Sequence, residues 1–162
     1  MKTEQLAAEV ISVLRRRKLT LATAESCTGG GVGYALTSIP GSSSVYLGGV
    51  VSYANAVKEQ ILRVSASVLK EHGAVSCQTA EAMAIGAKQL LGADIAISIT
   101  GIAGPASDDT AKPVGLVYVG VATASGVNIC ENHFCGDREA VRQQSIDKAL
   151  ALILQTVSAV DN

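Results

Sequence analysis

The stretch "ATAESCTGGGVGYAL", residues 22–36, decides the fold. A short apolar segment runs into Ser26, Cys27 and Thr28, then into Gly29, Gly30, Gly31 and Gly33, and closes on an apolar tail. It reads as a strand over 20–25 that turns at Ser26 into a glycine-rich helix over 28–38, the unit from which α/β sheets are built. A glycine inside a helix costs about 0.5–1 kcal/mol relative to alanine, so four of them cost about 2–4 kcal/mol. Two demands account for that cost: tight packing of helix on strand, or bare amides at a helix N-terminus approaching an anion or oxyanion. Both stay open on these residues alone.

Outward from this unit, residues 4–16 read as an amphipathic helix, and the basic run "RRRK" at 15–18 falls where cations suit a helix C-terminus. "VYLGGVVSY", 45–53, is a nearly continuous apolar run that predicts a strand buried on both faces. Asn55 is expected to cap a helix reaching about residue 63, and further helical pieces follow at 66–72 and 78–91. "DIAISIT", 94–100, is a second buried strand. Residues 115–125 and 128–135 predict an antiparallel pair, and Asp137 caps a last helix with Ile146, Leu150, Ile153, Leu154 and Val157 as its core stripe. Alternating strands and helices, then a hairpin and a closing helix, imply an α/β fold: one three-layer α/β/α domain over 1–162 with a mixed, mainly parallel sheet.

Composition limits the function. The 162 residues suffice to bury about 70% of the unfolded surface in a single core. Net charge is −1 with the signs interspersed, and five aromatic residues are too few for base-stacking platforms, so nucleic acid is not expected as a partner. No apolar run has the length of a bilayer span and no signal-type segment opens the chain, so a cytoplasmic protein without a membrane partner is expected. Cys27, Cys77, Cys130 and Cys135 form no CxxC pair and lie away from His72 and His133, so no metal is expected.

In open α/β sheets ligands collect beyond the carboxyl ends of the strands, which singles out Ser26 with Thr28, Tyr53 with Asn55 and Lys58, and Thr100 with "GIAGP". Ser26 at a strand-to-helix junction is either a helix cap or a nucleophile. Neither histidine is well placed to serve it as a base. Lys58, in the first turn of a helix capped by Asn55, feels an unfavourable dipole, and with partial burial its pKa falls; it is a neutral base or an ordinary surface lysine. Tyr53 stands near enough to relay a proton or orient the amine. The Gly101 to Gly104 loop is a plain turn or an amide nest for an anion. Arg138 and Arg142, one helical turn apart, face one phosphate or form surface ion pairs.

"AESCTGG", "GGVVSYANAVK", "HGAVS", "SITGIAGP", "KPVGLVYV" and "GDREAVR" occur in this order between residues 24 and 142. The string closely resembles the nicotinamide mononucleotide deamidase family, PncC, the domain also found at the C-terminus of CinA proteins, and the stand-alone form is expected. The resemblance implies hydrolysis of the carboxamide of nicotinamide mononucleotide to nicotinic acid mononucleotide and ammonia, with no cofactor and no metal. It implies Ser26 as nucleophile, with Lys58 and Tyr53 as its catalytic partners, and Thr100 and Arg138 as substrate-binding residues. The mechanism that follows is acyl transfer, with amides near Cys27, Thr28, Gly29 and Gly30 holding the oxyanion. Apart from the resemblance, the donors of Arg142 and of the loop from Gly101 to Gly104 lead us to expect them around the phosphate. Two departures bear on substrate preference: the family's "GPDGG" is "GPASDD" here, bringing Asp108 and Asp109, and the family's "YSN" is Tyr53, Ala54, Asn55. A catalytically silent mononucleotide-binding relative and a Cys27 nucleophile are the competing readings. The glycine-rich apolar surface is either core or a homo-oligomer interface.

Overall fold

A computed structural model describes residues 2–107 and 110–159. In chain order the elements are α1 (Lys2–Arg17), β1 (Leu21–Glu25), α2 (Gly31–Thr37), β2 (Tyr46–Val51), α3 (Asn55–Gln60), α4 (Ala66–His72), α5 (Cys77–Leu91), β3 (Ile95–Gly101), β4 (Leu116–Thr123), β5 (Gly126–His133) and α6 (Arg138–Ala159). The five strands lie in the order β2-β1-β3-β4-β5. β1 pairs in parallel with β2 and β3, while β4 is antiparallel to both β3 and β5. Four strands therefore share one direction and β4 runs against them, a mixed and mainly parallel sheet in an α/β sandwich.

The two faces of the sheet differ in side-chain size, and this sets the layers. Leu21, Ile95, Ile97 and Ile99 join the larger core with residues of α1, α2 and α6. Their neighbours on the other face, Ala22, Ala24 and Ala96, are small and lie under Met83 and Ala87 of α5. Small residues let α5 approach closely, and a Cβ on its Gly86 would stand 2.0 Å from the Leu62 carbonyl oxygen.

Three expectations are corrected. β2 is an edge strand whose residues alternate between half-buried and exposed, because β1 covers one side of it only. α3 is capped by Ala54 rather than Asn55 and ends at Gln60. α2 begins at Gly31, so Gly29 and Gly30 sit in the preceding turn with positive φ of 62° and 100°, where glycine carries no steric penalty. Within the helix, a Cβ on Gly31 would stand 2.5 Å from Ile146 Cδ1, and one on Gly33 would stand 2.8 Å from the Tyr46 hydroxyl. Packing accounts for these two glycines.

Candidate active site

The carboxyl ends of β1, β2 and β3 face one cavity of about 290 Å³, near the lower end of ligand-pocket sizes. Ser26, Cys27, Tyr53, Lys58, Thr100 and Arg138 are among its walls. Ser26 follows the last residue of β1, where its amide donates to the Ile99 carbonyl and continues the pairing with β3. The nucleophile candidate thus sits on the rigid sheet rather than on a free loop.

Lys58 is 1% exposed, and its Nζ lies 3.0 Å from Ser26 Oγ, 2.6 Å from the Ser52 carbonyl oxygen and 3.3 Å from that of Tyr53. Burial pushes its pKa down from 10.5 to about 8. Desolvation, rather than the dipole of the six-residue α3, is the cause of that shift. Nζ donates to all three oxygens when charged; when the amine is neutral, two N–H donors serve the carbonyls and the lone pair is left for the Ser26 hydroxyl, the arrangement a base requires.

Tyr53 acts on the amine through its carbonyl rather than its hydroxyl. The ring is exposed, and the hydroxyl accepts from Arg138 Nη2 at 3.1 Å while Arg138 Nη1 donates to the Gly104 carbonyl at 2.8 Å. Arg138 therefore ties the lip of the cavity together across three segments, and it keeps further N–H donors for a ligand. Thr100 is buried, and its hydroxyl donates to the Ala74 carbonyl at 2.7 Å, holding the wall formed by Ala74 and Val75. Gly101 lines the cavity beside β4: a Cβ there would stand 2.6 Å from Val117 Cγ2. Gly104, with φ of 88°, carries the carbonyl that Arg138 reads.

Other sequence-predicted residues lie elsewhere. Thr28, Gly29, Gly30, Asn55 and Arg142 are not among the cavity walls. Arg142 does not share a ligand site with Arg138: its Nε donates to the Cys27 carbonyl at 3.1 Å and its Nη2 to the Thr28 carbonyl at 3.2 Å. Asn55 is exposed on α3. Cys27 borders the cavity, but burial pushes its thiol up to about 11, which removes the activation expected beside a helix N-terminus. Asp108 and Asp109 lie outside the described residues.

Two contributors were not visible in the sequence reading. Glu25, 2% exposed, accepts from the Thr28 hydroxyl at 2.6 Å, the Val32 amide at 2.8 Å and the Gly33 amide at 3.0 Å. The anion expected at the N-terminus of α2 is thus the protein's own carboxylate. Its signal was a lone glutamate ending an apolar strand. Ser52 supplies the shortest contact to Lys58 through its backbone, which no side-chain pattern announces.

Among the described residues no three His, Cys, Asp or Glu side chains converge to hold a metal, and no helix is long and apolar enough to cross a membrane.

Comparison with known proteins agrees with this architecture. A CinA-like protein of Parasynechococcus marenigrum is 49% identical over 150 residues, covering 91% of this chain and 36% of that protein, so the chain spans about a third of the length of such curated relatives. The crystal structure of the competence/damage inducible protein CihA from Agrobacterium tumefaciens superposes with a TM-score of 0.93 at 39% identity, over 98% of this chain and 96% of that one. A CinA superfamily protein from Klebsiella pneumoniae gives a TM-score of 0.94 at 35% identity, over 97% and 98% of the two chains. The family model described as CinA C-terminal domain matches residues 3–157, nearly the whole chain, and the chain belongs to the CinA C-terminal domain family.

Proposed function

We propose that the protein is a nicotinamide mononucleotide amidohydrolase working through a Ser26–Lys58 dyad in pyridine nucleotide recycling, a cytoplasmic setting. The observation that carries this reading is the buried amine 3.0 Å from the serine hydroxyl, with its proton affinity lowered to about 8. Neutral Lys58 takes the Ser26 proton as the oxygen attacks the carboxamide carbon. The amide nitrogen then leaves as ammonia with that proton, and water hydrolyses the resulting ester to free the acid and restore the serine. The positive pyridinium ring withdraws electrons from the carboxamide, which suits attack by a hydroxyl. Arg138 at the lip has donors for the phosphate.

Ammonia release tests the reading on nicotinamide mononucleotide, the riboside and free nicotinamide. Turnover is expected with the mononucleotide and loss of about 10²–10⁴-fold in Ser26→Ala and Lys58→Ala, with both variants folded. Absence of release from the wild type, or near-normal turnover in either variant, refutes the assignment.

A further inference from the structure

Two charged side chains grip the turn after Ser26, and neither lines the cavity. Glu25 gathers donors: the Thr28 hydroxyl and the amides of Val32 and Gly33. Arg142 gathers acceptors, the carbonyls of Cys27 and Thr28. Between them the Gly29 amide donates to the Ser26 carbonyl at 3.0 Å and the Gly31 amide to the Thr28 carbonyl at 3.1 Å. The carbonyls of residues 26, 27 and 28 are therefore all engaged within the protein.

A trans peptide is planar, with its N–H directed opposite to its C=O. Fixing the Ser26 carbonyl on Gly29 fixes the Cys27 N–H on the other side, and fixing the Cys27 carbonyl on Arg142 does the same for the Thr28 N–H. Cys27 borders the cavity, and the amide one residue beyond a nucleophile is where acyl transfer places an oxyanion donor. We propose that Arg142 and Glu25 are positioning residues, a two-sided brace on the two peptides after Cys27 and on the start of α2 that holds the turn in which Ser26 bonds Gly29, and so keeps the Cys27 amide aimed at the developing oxyanion. The proposal rests on Ser26 being the nucleophile. It assigns Arg142 to the transition state through the backbone and not to a phosphate.

The test uses Arg142→Ala, Arg142→Lys and Glu25→Gln in the full chain. Two readouts apply: ammonia release from nicotinamide mononucleotide and from the riboside, and the rate at which a fluorophosphonate modifies Ser26, mapped by mass spectrometry. In that reaction the Ser26 oxygen bonds to phosphorus, fluoride leaves and Lys58 takes the proton, so an oxyanion site is probed without any nucleotide. In Arg142→Ala, kcat is expected to fall about 100-fold for both substrates with KM within about threefold, and phosphonylation to slow in parallel. Arg142→Lys, which replaces a two-pronged donor by a point charge, is expected between Ala and wild type, and added guanidinium ion is expected to restore part of the Ala variant's rate. Glu25→Gln, with one donor-accepting oxygen replaced, is expected to lower kcat without raising KM. A penalty confined to KM for the phosphorylated substrate, or unchanged phosphonylation in Arg142→Ala, overturns the brace. If Arg142→Ala does not fold, Arg142→Lys decides: wild-type kcat and wild-type labelling in it overturn the brace. Wild-type labelling at Ser26 without ammonia release refutes the amide substrate alone and leaves the brace to the labelling rates. No labelling and no release refutes nucleophile and brace together.

Discussion

Lys58 Nζ stands 3.0 Å from Ser26 Oγ, with the carbonyls of Ser52 and Tyr53 holding its other side. No carboxylate is among these partners, so no counter-charge balances the ammonium, and burial lowers the pKa to about 8. The base is competent only when neutral. Ammonia release is therefore expected to rise with pH, with an acid limb in kcat/KM near 8, because protonation below that pH fills the lone pair that Ser26 needs. A profile flat from about pH 6.5 to about 9.5 in wild-type enzyme contradicts the assignment of Lys58 as base.

The same shift predicts a stability signature. The unfolded lysine titrates near 10.5 and the folded one near 8, so between these values the unfolded chain binds more protons and the folded state gains stability as pH rises. At about 1.4 kcal/mol per pH unit, the gain from Lys58 amounts to about 3 kcal/mol across that window. Denaturant unfolding of wild type and Lys58→Met side by side isolates it. The stability of the wild type relative to Lys58→Met is expected to increase from pH 8 towards 10.5, and a pH-independent difference rejects the depressed pKa.

β1 and β3 could be read from the chain because their patterns are local. Ile95, Ile97 and Ile99 alternate with Ala96 and Ser98, and Ser26 follows directly on a buried strand. The place of β2 could not be read, since "YLGGVV" carries no record of its lateral neighbours and an apolar run suits a sheet centre and a sheet edge alike. Ala54 outranks Asn55 as cap because the strand exit, not side-chain propensity, sets where α3 begins. Arg138 and Arg142 are one turn apart on α6, yet they reach different partners because the turn after Ser26 presents its carbonyls to Arg142 alone. Such directions arise from tertiary placement. Spacing on a helix fixes which residues are neighbours, not what lies opposite them.

Gly31 offers a packing test. Its missing Cβ leaves room for Ile146 Cδ1, which would otherwise stand at 2.5 Å. Gly31→Ala is expected to cost about 1–3 kcal/mol through overpacking, despite alanine's better helix propensity. The loss is read as a fall in Tm of about 2–4 °C per kcal/mol for a chain of this size. Ile146→Val removes the offending methyl, so the double variant is expected to lose less than the sum of the single ones. Strict additivity would show that α2 and α6 do not meet at this point.

Cys27 tests the choice of nucleophile. It borders the same cavity as Ser26, and a thiol is the stronger nucleophile when ionised, but with a pKa pushed up to about 11 only about one molecule in a thousand carries the thiolate at pH 8. Cys77 and Cys135 are exposed, so iodoacetamide at pH 8 is expected to alkylate them first and leave Cys27 and ammonia release largely untouched. Cys27→Ala keeps the backbone amide on which oxyanion binding depends, and its kcat is expected within about tenfold of wild type, against the loss of about 10²–10⁴-fold expected in Ser26→Ala. Inactivation that tracks carboxamidomethylation of Cys27, together with an inactive Cys27→Ala and an active Ser26→Ala, would transfer the chemistry to the cysteine. The buried, protonated thiol and the serine held by a neutral amine predict the reverse order.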